Sequence, residues 1–219
     1  MDTAAHAETI GLLASFAARC RAELEWTPGL VNVGGGFAVR HTRDEPEAPL
    51  GVLASAVTES IQRAWSANRL PKPALVLEPG RALVGQAGVT LYRVRSVKRL
   101  DGVTWVAVDG GTSDNPRPQL YQARYTAVSA TRVDEPATET VSVAGLHCES
   151  GDVLIDDVAL PEPRIGDLLA VPVTGAYTLA MSSNYNETPR PAAVLVRDGE
   201  ARVIRRRETV DDLLALESG

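Results

Sequence analysis

The sequence has 219 residues, 44% hydrophobic and 23% charged, enough for one large domain or two small ones with their own cores. Its 22 basic and 28 acidic residues give a formal net charge of -6, and the basic residues are scattered, which argues against a nucleic-acid or anionic-membrane partner. No apolar run reaches the length that crosses a bilayer, and Met1, Asp2 and Thr3 open neither a basic signal peptide nor a lipidation motif, so the expected location is cytoplasmic.

Residues 4–24 carry Ile10, Leu13, Phe16, Ala17, Cys20 and Leu24 at three- and four-residue steps, the spacing of an amphipathic helix. Residues 30–33 then run as a short buried strand into Gly34, Gly35 and Gly36, a loop without side chains to block close approach. Residues 44–49 read as a loop. Leu53, Val57, Ile61 and Trp65, four apart, predict a second helix over about 51–68, and residues 74–77 a second buried strand ending in Glu78, Pro79, Gly80 and Arg81. This order, with loops at the strand ends, is that of part of an α/β barrel over residues 1–87.

From residue 88 to 219 the texture becomes β-rich. Asp101-Gly102 and Asp198-Gly199 each sit between apolar runs as two-residue hairpin turns. Residues 141–144, 152–155 and 168–173 add strands at the spacing of a sandwich or barrel. Thr209 with Asp212 makes a capping box for a closing helix. The fold class is therefore α/β plus all-β.

Four constellations could carry chemistry. Gly34 to Gly36 lets backbone N–H groups converge on a phosphate, but it is neither GxGxxG nor a Walker loop, and it also reads as a tight turn. In Glu78-Pro79-Gly80-Arg81 the proline and glycine hold a glutamate and an arginine on a loop, or form an ordinary turn with a surface ion pair. In His147-Cys148-Glu149-Ser150-Gly151-Asp152 adjacent strand residues point to opposite faces, so no metal site is expected. Cys148, at a strand-to-turn boundary, fits an exposed reactive thiol, whereas Cys20, on a helix stripe, reads as core. His147 reads as a surface residue or a satisfied strand histidine, and His6 and His41 as surface residues. Asp114, Asn115, Pro116, Arg117 and Tyr121, with 175–177 and 182–186, offer an arginine fork and tyrosines that composition alone does not lift above turn chemistry.

Taken in order, NVGGGF, EPGR, VAVDGG, DNPRP with a tyrosine four residues after its arginine, CESGD, GAY, SSNYN and ETVDDLLALE resemble the diaminopimelate decarboxylases, alanine-racemase-like decarboxylases that depend on pyridoxal 5'-phosphate. The resemblance implies the last part of an α/β (TIM) barrel joined to a β-domain, in a homodimer that converts meso-2,6-diaminopimelate, a small amino acid, to L-lysine in lysine biosynthesis. It also implies roles. Gly34, Gly35, Gly36, Glu78, Pro79, Gly80 and Arg81 would hold the cofactor phosphate, with Arg81 also meeting substrate. Arg117, Tyr121 and Glu149 would grip the substrate's distal end, Tyr177 would touch cofactor and substrate, and Cys148 would be the proton donor, supplied to the partner protomer's site. Members of the family are roughly twice as long, in keeping with a barrel of ~250 residues plus a second domain. Neither Lys72 nor Lys98 matches the family's cofactor-binding lysine, and no segment matches the HIGSQ-like stretch whose histidine stacks on the cofactor ring. Three readings follow: the C-terminal part of a decarboxylase, inactive alone; one subunit of a split enzyme; or a non-catalytic paralogue that binds and regulates an intact decarboxylase.

Overall fold

The computed structural model describes residues 4–47 and 49–217; Met1, Asp2 and Thr3, and Ala48 of the 44–49 loop, lie outside the described residues. The chain divides into two compact units, Met1–Gln86 and Ala87–Gly219.

In the first unit, helix α1 (Ala4–Leu24) and helix α2 (Leu50–Ala67) accompany two short strands, β1 (Leu30–Asn32) and β2 (Ala74–Val76), and a one-turn helix α3 (Gly80–Val84) follows. The four-residue stripe of α2 is buried at Leu53, Val57, Ile61 and Trp65 as its spacing requires. On α1 the buried residues are Ile10, Ala14, Ala17 and Cys20. Phe16 and Leu24, counted on the same face from the sequence, are instead exposed. Beyond Ile10 the face turned inward is lined by small side chains, Ala14, Ala17 and Cys20, which let helices approach closely. β1 and β2 pair in parallel with Leu30 opposite Ala74 and Asn32 opposite Val76. Neither is a buried strand: in β1 only Val31 is covered, and β2 is at best half-buried. Two strands flanked by helices do not close a barrel, and no barrel forms among the described residues.

The second unit is built on a six-stranded mixed sheet in the order β5-β8-β3-β4-β6-β7, comprising β3 (Val89–Leu100), β4 (Val103–Val108), β5 (Val128–Ser129), β6 (Glu139–Ala144), β7 (Val153–Leu160) and β8 (Leu168–Pro172). It is a single curled sheet with two ends, neither a two-sheet sandwich nor a closed barrel. Register shifts between Val94 and Ser96 and around Val143 bend it, as bulges do. The long strand β3 gives its first half to β8 and its second half to β4. Its core holds Tyr92, Val94, Val106, Val108, Val141, Val143, Leu154, Leu160, Leu169 and Val171. Asp101 and Gly102 turn β3 into β4 with φ of +51° and +80°, the left-handed pair that a tight hairpin needs and Asp-Gly tolerates. Asp198 and Gly199 do the same, at +52° and +81°, between β9 (Ala193–Arg197) and β10 (Glu200–Arg205), which form a separate hairpin. Helix α4 (Arg117–Tyr121) packs on β7, and α5 (Val210–Leu214) begins at Thr209 with both bonds of the expected capping box. No described helix is long and apolar enough to cross a membrane.

Candidate functional site

Parallel pairing explains both clusters of candidate residues, because neighbouring parallel strands end on the same side of the sheet. In the first unit, β1 runs into residues 34–36 and β2 into 78–81. The two loops are tied together: the Glu78 N–H donates to the Gly34 carbonyl at 2.9 Å, the Asn32 amide donates to Glu78 Oε1 at 2.6 Å, and Asn32 Oδ1 accepts from the Gly34 N–H at 2.8 Å. Gly34 and Gly36 have φ of +74° and +84°, and a Cβ on Gly35 would lie 2.8 Å from the Glu78 carbonyl oxygen. Only glycine suits these positions. Arg81 is half-buried on α3. His6 is no plain surface residue: its Nε2 lies 2.9 Å from the Gly35 carbonyl and its ring packs 5.1 Å from that of Phe37. His41 is also half-buried, with Nδ1 at 3.0 Å from the Val39 carbonyl.

At Gly34 nothing stands within 4 Å of where a Cβ would be, so the loop leaves room for the phosphate of the cofactor that the resemblance implies, although the Gly34 N–H itself is given to Asn32 Oδ1. The covalent amine does not fit. Lys72 lies exposed between two prolines before β2 begins at Ala74, on the opposite end of that strand from Glu78. Lys98 is exposed on β3 opposite Trp105.

In the second unit β4 and β6 are the parallel neighbours, so residues 109–116 and 145–152 leave the sheet side by side. The Leu146 N–H donates to the Gly110 carbonyl at 3.0 Å, and the Ser183 N–H to the Ser113 carbonyl at 2.8 Å, which brings in residues 182–186 as a third loop. Cys148 and Glu149 stand exposed in this cluster. They lie on a loop rather than a strand, so the opposite-faces argument does not govern them. Glu149 accepts from the Tyr185 hydroxyl and, at 3.3 Å, from the Gln119 amide. Thr112 Oγ1 donates to Gln119 Oε1 at 2.6 Å, which turns the amide nitrogen toward Glu149. The Tyr185 bond is the main reason the Glu149 carboxyl is held below its usual range and the Tyr185 phenol above its own. His147 is buried with both ring nitrogens lacking a hydrogen-bond partner, its ring edge-on to Tyr185 at 5.2 Å. It is therefore neither a surface residue nor a satisfied strand histidine.

The remaining candidates separate. Arg117 is 5% exposed, and its Nη1 donates to the Tyr125 hydroxyl at 2.9 Å with the guanidinium 5.9 Å from that ring. Tyr121, four residues on, faces solvent, so the expected substrate grip is split. Tyr177 is half-exposed at φ +62°, after a turn pinned where the Thr174 N–H donates to the Gly88 carbonyl at 3.0 Å.

Sequence reasoning missed Asn32, Gln119 and Tyr185 as partners of the two glutamates, and it missed the buried pair Tyr92 and Asp114, joined at 2.5 Å. Burial pushes both the Asp114 carboxyl and the Tyr92 phenol up. Asp152 was visible inside CESGD but carried no role.

The family model described as "Pyridoxal-dependent decarboxylase, C-terminal sheet domain" matches residues 13–175. The chain is 52% identical over 209 residues to the diaminopimelate decarboxylase of Actinosynnema pretiosum subsp. auranticum, covering 95% of this chain and 46% of that protein. It is 48% identical over 189 residues to the diaminopimelate decarboxylase of Bacillus subtilis (strain 168), covering 86% and 43%. Among solved structures, diaminopimelate decarboxylase of M. jannaschii in co-complex with L-lysine superposes with a TM-score of 0.91 at 33% identity, over 100% of this chain and 49% of that one. The Helicobacter pylori enzyme complexed with L-lysine gives 0.85 at 30%, over 99% and 51%. The chain thus spans about half the length of the relatives it matches.

Proposed function

The chain belongs to the pyridoxal-dependent decarboxylases, and on that premise we propose that it is the C-terminal portion of a diaminopimelate decarboxylase, converting meso-2,6-diaminopimelate to L-lysine with pyridoxal 5'-phosphate in the cytoplasm. The observation that carries this reading is the joint presentation of an exposed thiol and an ionised carboxylate, Cys148 and Glu149, on one braced loop. In this reading residues 1–87 are the last strands and helices of an alanine-racemase-like barrel, and residues 88–219 the C-terminal β-domain.

Residues 34–36 and 78–81 would hold the cofactor phosphate through backbone N–H groups other than those of Gly34, Glu78 and Gly80, which serve Asn32 Oδ1 and the Gly34 and Glu78 carbonyls. Arg81 would also meet substrate, and the role proposed for Tyr177 is contact with cofactor and substrate. When bound, the cofactor supplies an electron sink for the bond that releases carbon dioxide. Cys148 Sγ then delivers its proton to the α-carbon in the partner protomer's site and recovers one from solvent. Glu149, kept ionised by Tyr185 and Gln119, would receive the distal ammonium. Tyr121 would flank the distal carboxylate, and Arg117, whose Nη1 already serves the Tyr125 hydroxyl, would meet it through another N–H of its fork. The covalent amine must come from residues other than Lys72 and Lys98.

Two measurements test this. The purified chain with pyridoxal phosphate is expected to show no lysine-bound absorbance band and no borohydride-fixed adduct. Co-expressed with the lysine-bearing N-terminal half of a relative, it should release carbon dioxide from diaminopimelate, and Cys148→Ala should lower that rate by about 10²-fold or more. A borohydride-fixed adduct on Lys72 or Lys98, or full activity of the alanine variant, would overturn the reading.

A further inference from the structure

Asp152 lies beneath the Cys148 loop, 3% exposed, and its two carboxylate oxygens serve different segments. Oδ1 accepts from the Thr112 N–H at 2.7 Å, and Oδ2 accepts from the His147 N–H at 2.8 Å. Its main chain closes the same loop: the carbonyl accepts from the Gly145 N–H at 2.8 Å, and the N–H donates to the Glu149 carbonyl at 3.1 Å. Charged acceptors make the stronger and shorter hydrogen bonds to backbone donors.

The surroundings are shaped to this carboxylate. A Cβ on Gly111 would lie 2.5 Å from Oδ2, and one on Gly145 would overlap the same oxygen. The imidazole of His147 supplies no alternative brace, because neither ring nitrogen has a hydrogen-bond partner. The two N–H groups that Asp152 binds belong to the residue before Cys148 and to Thr112, whose hydroxyl turns the Gln119 amide of α4 toward Glu149.

We propose that Asp152 is the positioning residue for Cys148 and Glu149: its buried carboxylate bridges the main chain at Thr112 and His147 and fixes the loop conformation that presents the thiol and the substrate-binding carboxylate. Its importance for catalysis rests on Cys148 being the proton donor, but the presentation itself is measurable without that reading. In Asp152→Asn the amide nitrogen must face one of the two N–H donors, so one bond becomes a repulsion and the loop opens.

The test is the rate at which iodoacetamide alkylates Cys148 in the full chain, followed by peptide mass, with buried Cys20 as the internal reporter of global unfolding. Because Cys148 is already exposed, its rate reports the conformation and neighbours of the thiol rather than its access to solvent, and Asp152→Asn should shift it at least about fivefold while Cys20 stays protected. Val143→Ala, a loss in the neighbouring core, should lower thermal stability yet keep the Cys148 rate within about twofold at the same margin below its midpoint. An unchanged Cys148 rate in Asp152→Asn, or an equal shift in Val143→Ala, overturns the proposal. Should Asp152→Asn fail to fold, Gly111→Ala, whose Cβ displaces Oδ2, carries the same expectation and the same refutation. Full decarboxylation by Cys148→Ala would sink the proton-donor reading while leaving the alkylation result standing.

Discussion

Both units bring two loops together by the same device, a pair of parallel strands ending on one side, yet they hold those loops in different ways. At the ends of β1 and β2 the work is done mainly by backbone and by missing side chains, with the neutral Asn32 amide as a side-chain tie: Gly34 and Gly36 take left-handed conformations, and Gly35 lies against the Glu78 carbonyl. Between β4 and β6 it is done by a buried carboxylate, Asp152, that accepts from both loops. The chemistry each cluster offers follows. A loop of bare backbone suits a phosphate, which asks only for N–H donors. A loop that must present a thiol and a carboxylate needs a rigid charged brace. The strands differ as well: β1 and β2 are three residues long and largely uncovered, whereas the six-stranded sheet buries Val94, Val106, Val143 and Leu160 almost completely.

The largest effect should come from that difference in burial. Leu160→Ala, in a residue 1% exposed, is expected to cost about 2–5 kcal/mol in urea unfolding, and Leu30→Ala, 57% exposed on β1, less than about 0.5 kcal/mol. Equal losses would erase the contrast between the two sheets. Next, Gly35→Ala should force the 34–36 and 78–81 loops apart at a cost of about 1–3 kcal/mol, read as faster exchange of the Glu78 amide that donates to Gly34. Protection equal to wild type would show that the first unit's loops do not depend on close backbone approach.

A pH measurement extends the comparison of braces to the third loop. The Arg190 N–H, followed by the Asn184 amide, holds the Glu208 carboxyl down to about 2 from an ordinary 4.5. A lowered native value stabilises the fold above the ordinary one, and that stabilisation fades as the pH falls through 4.5 toward 2. The wild type should therefore melt above Glu208→Gln at pH 7, with the gap shrinking steadily toward pH 3. A constant gap would mean that the carboxylate charge is not what secures Asn184. The most local effect belongs to Thr209→Ala, which removes half of the capping box of α5. It should cost about 0.5–2 kcal/mol locally, seen as faster exchange of the Asp212 amide with little change in the melting of the sheet.

Particular residues show what was legible in the sequence. The stripe from Leu53 to Trp65 and the two Asp-Gly turns depend on neighbours within one element, and they stand as read. Phe16 and Leu24 were misplaced because an apolar side chain need not be inside. The outward faces of β9 and β10, with Val196 and Val203 exposed, were equally invisible, since alternation does not say what covers a strand. In the site, CESGD drew attention to Cys148 and Glu149 by composition, but Tyr185 is 36 residues from Glu149 and Thr112 is 40 from Asp152.

By itself the sequence determined α1, α2, the two Asp-Gly hairpins, the cap of α5 and the motifs that mark the family, because helix periodicity, turn dihedrals and motif spacing are set by residues close together in the chain; the short helices α3 and α4, the strand β5 and the first half of β3 were not legible in it. Only the tertiary structure decided that β4 lies parallel to β6, that Arg117 turns inward to Tyr125, and that one aspartate bridges two loops. Those outcomes depend on which distant segments share a buried hydrogen-bonding surface, and burial is a property of the packed chain rather than of any stretch of it.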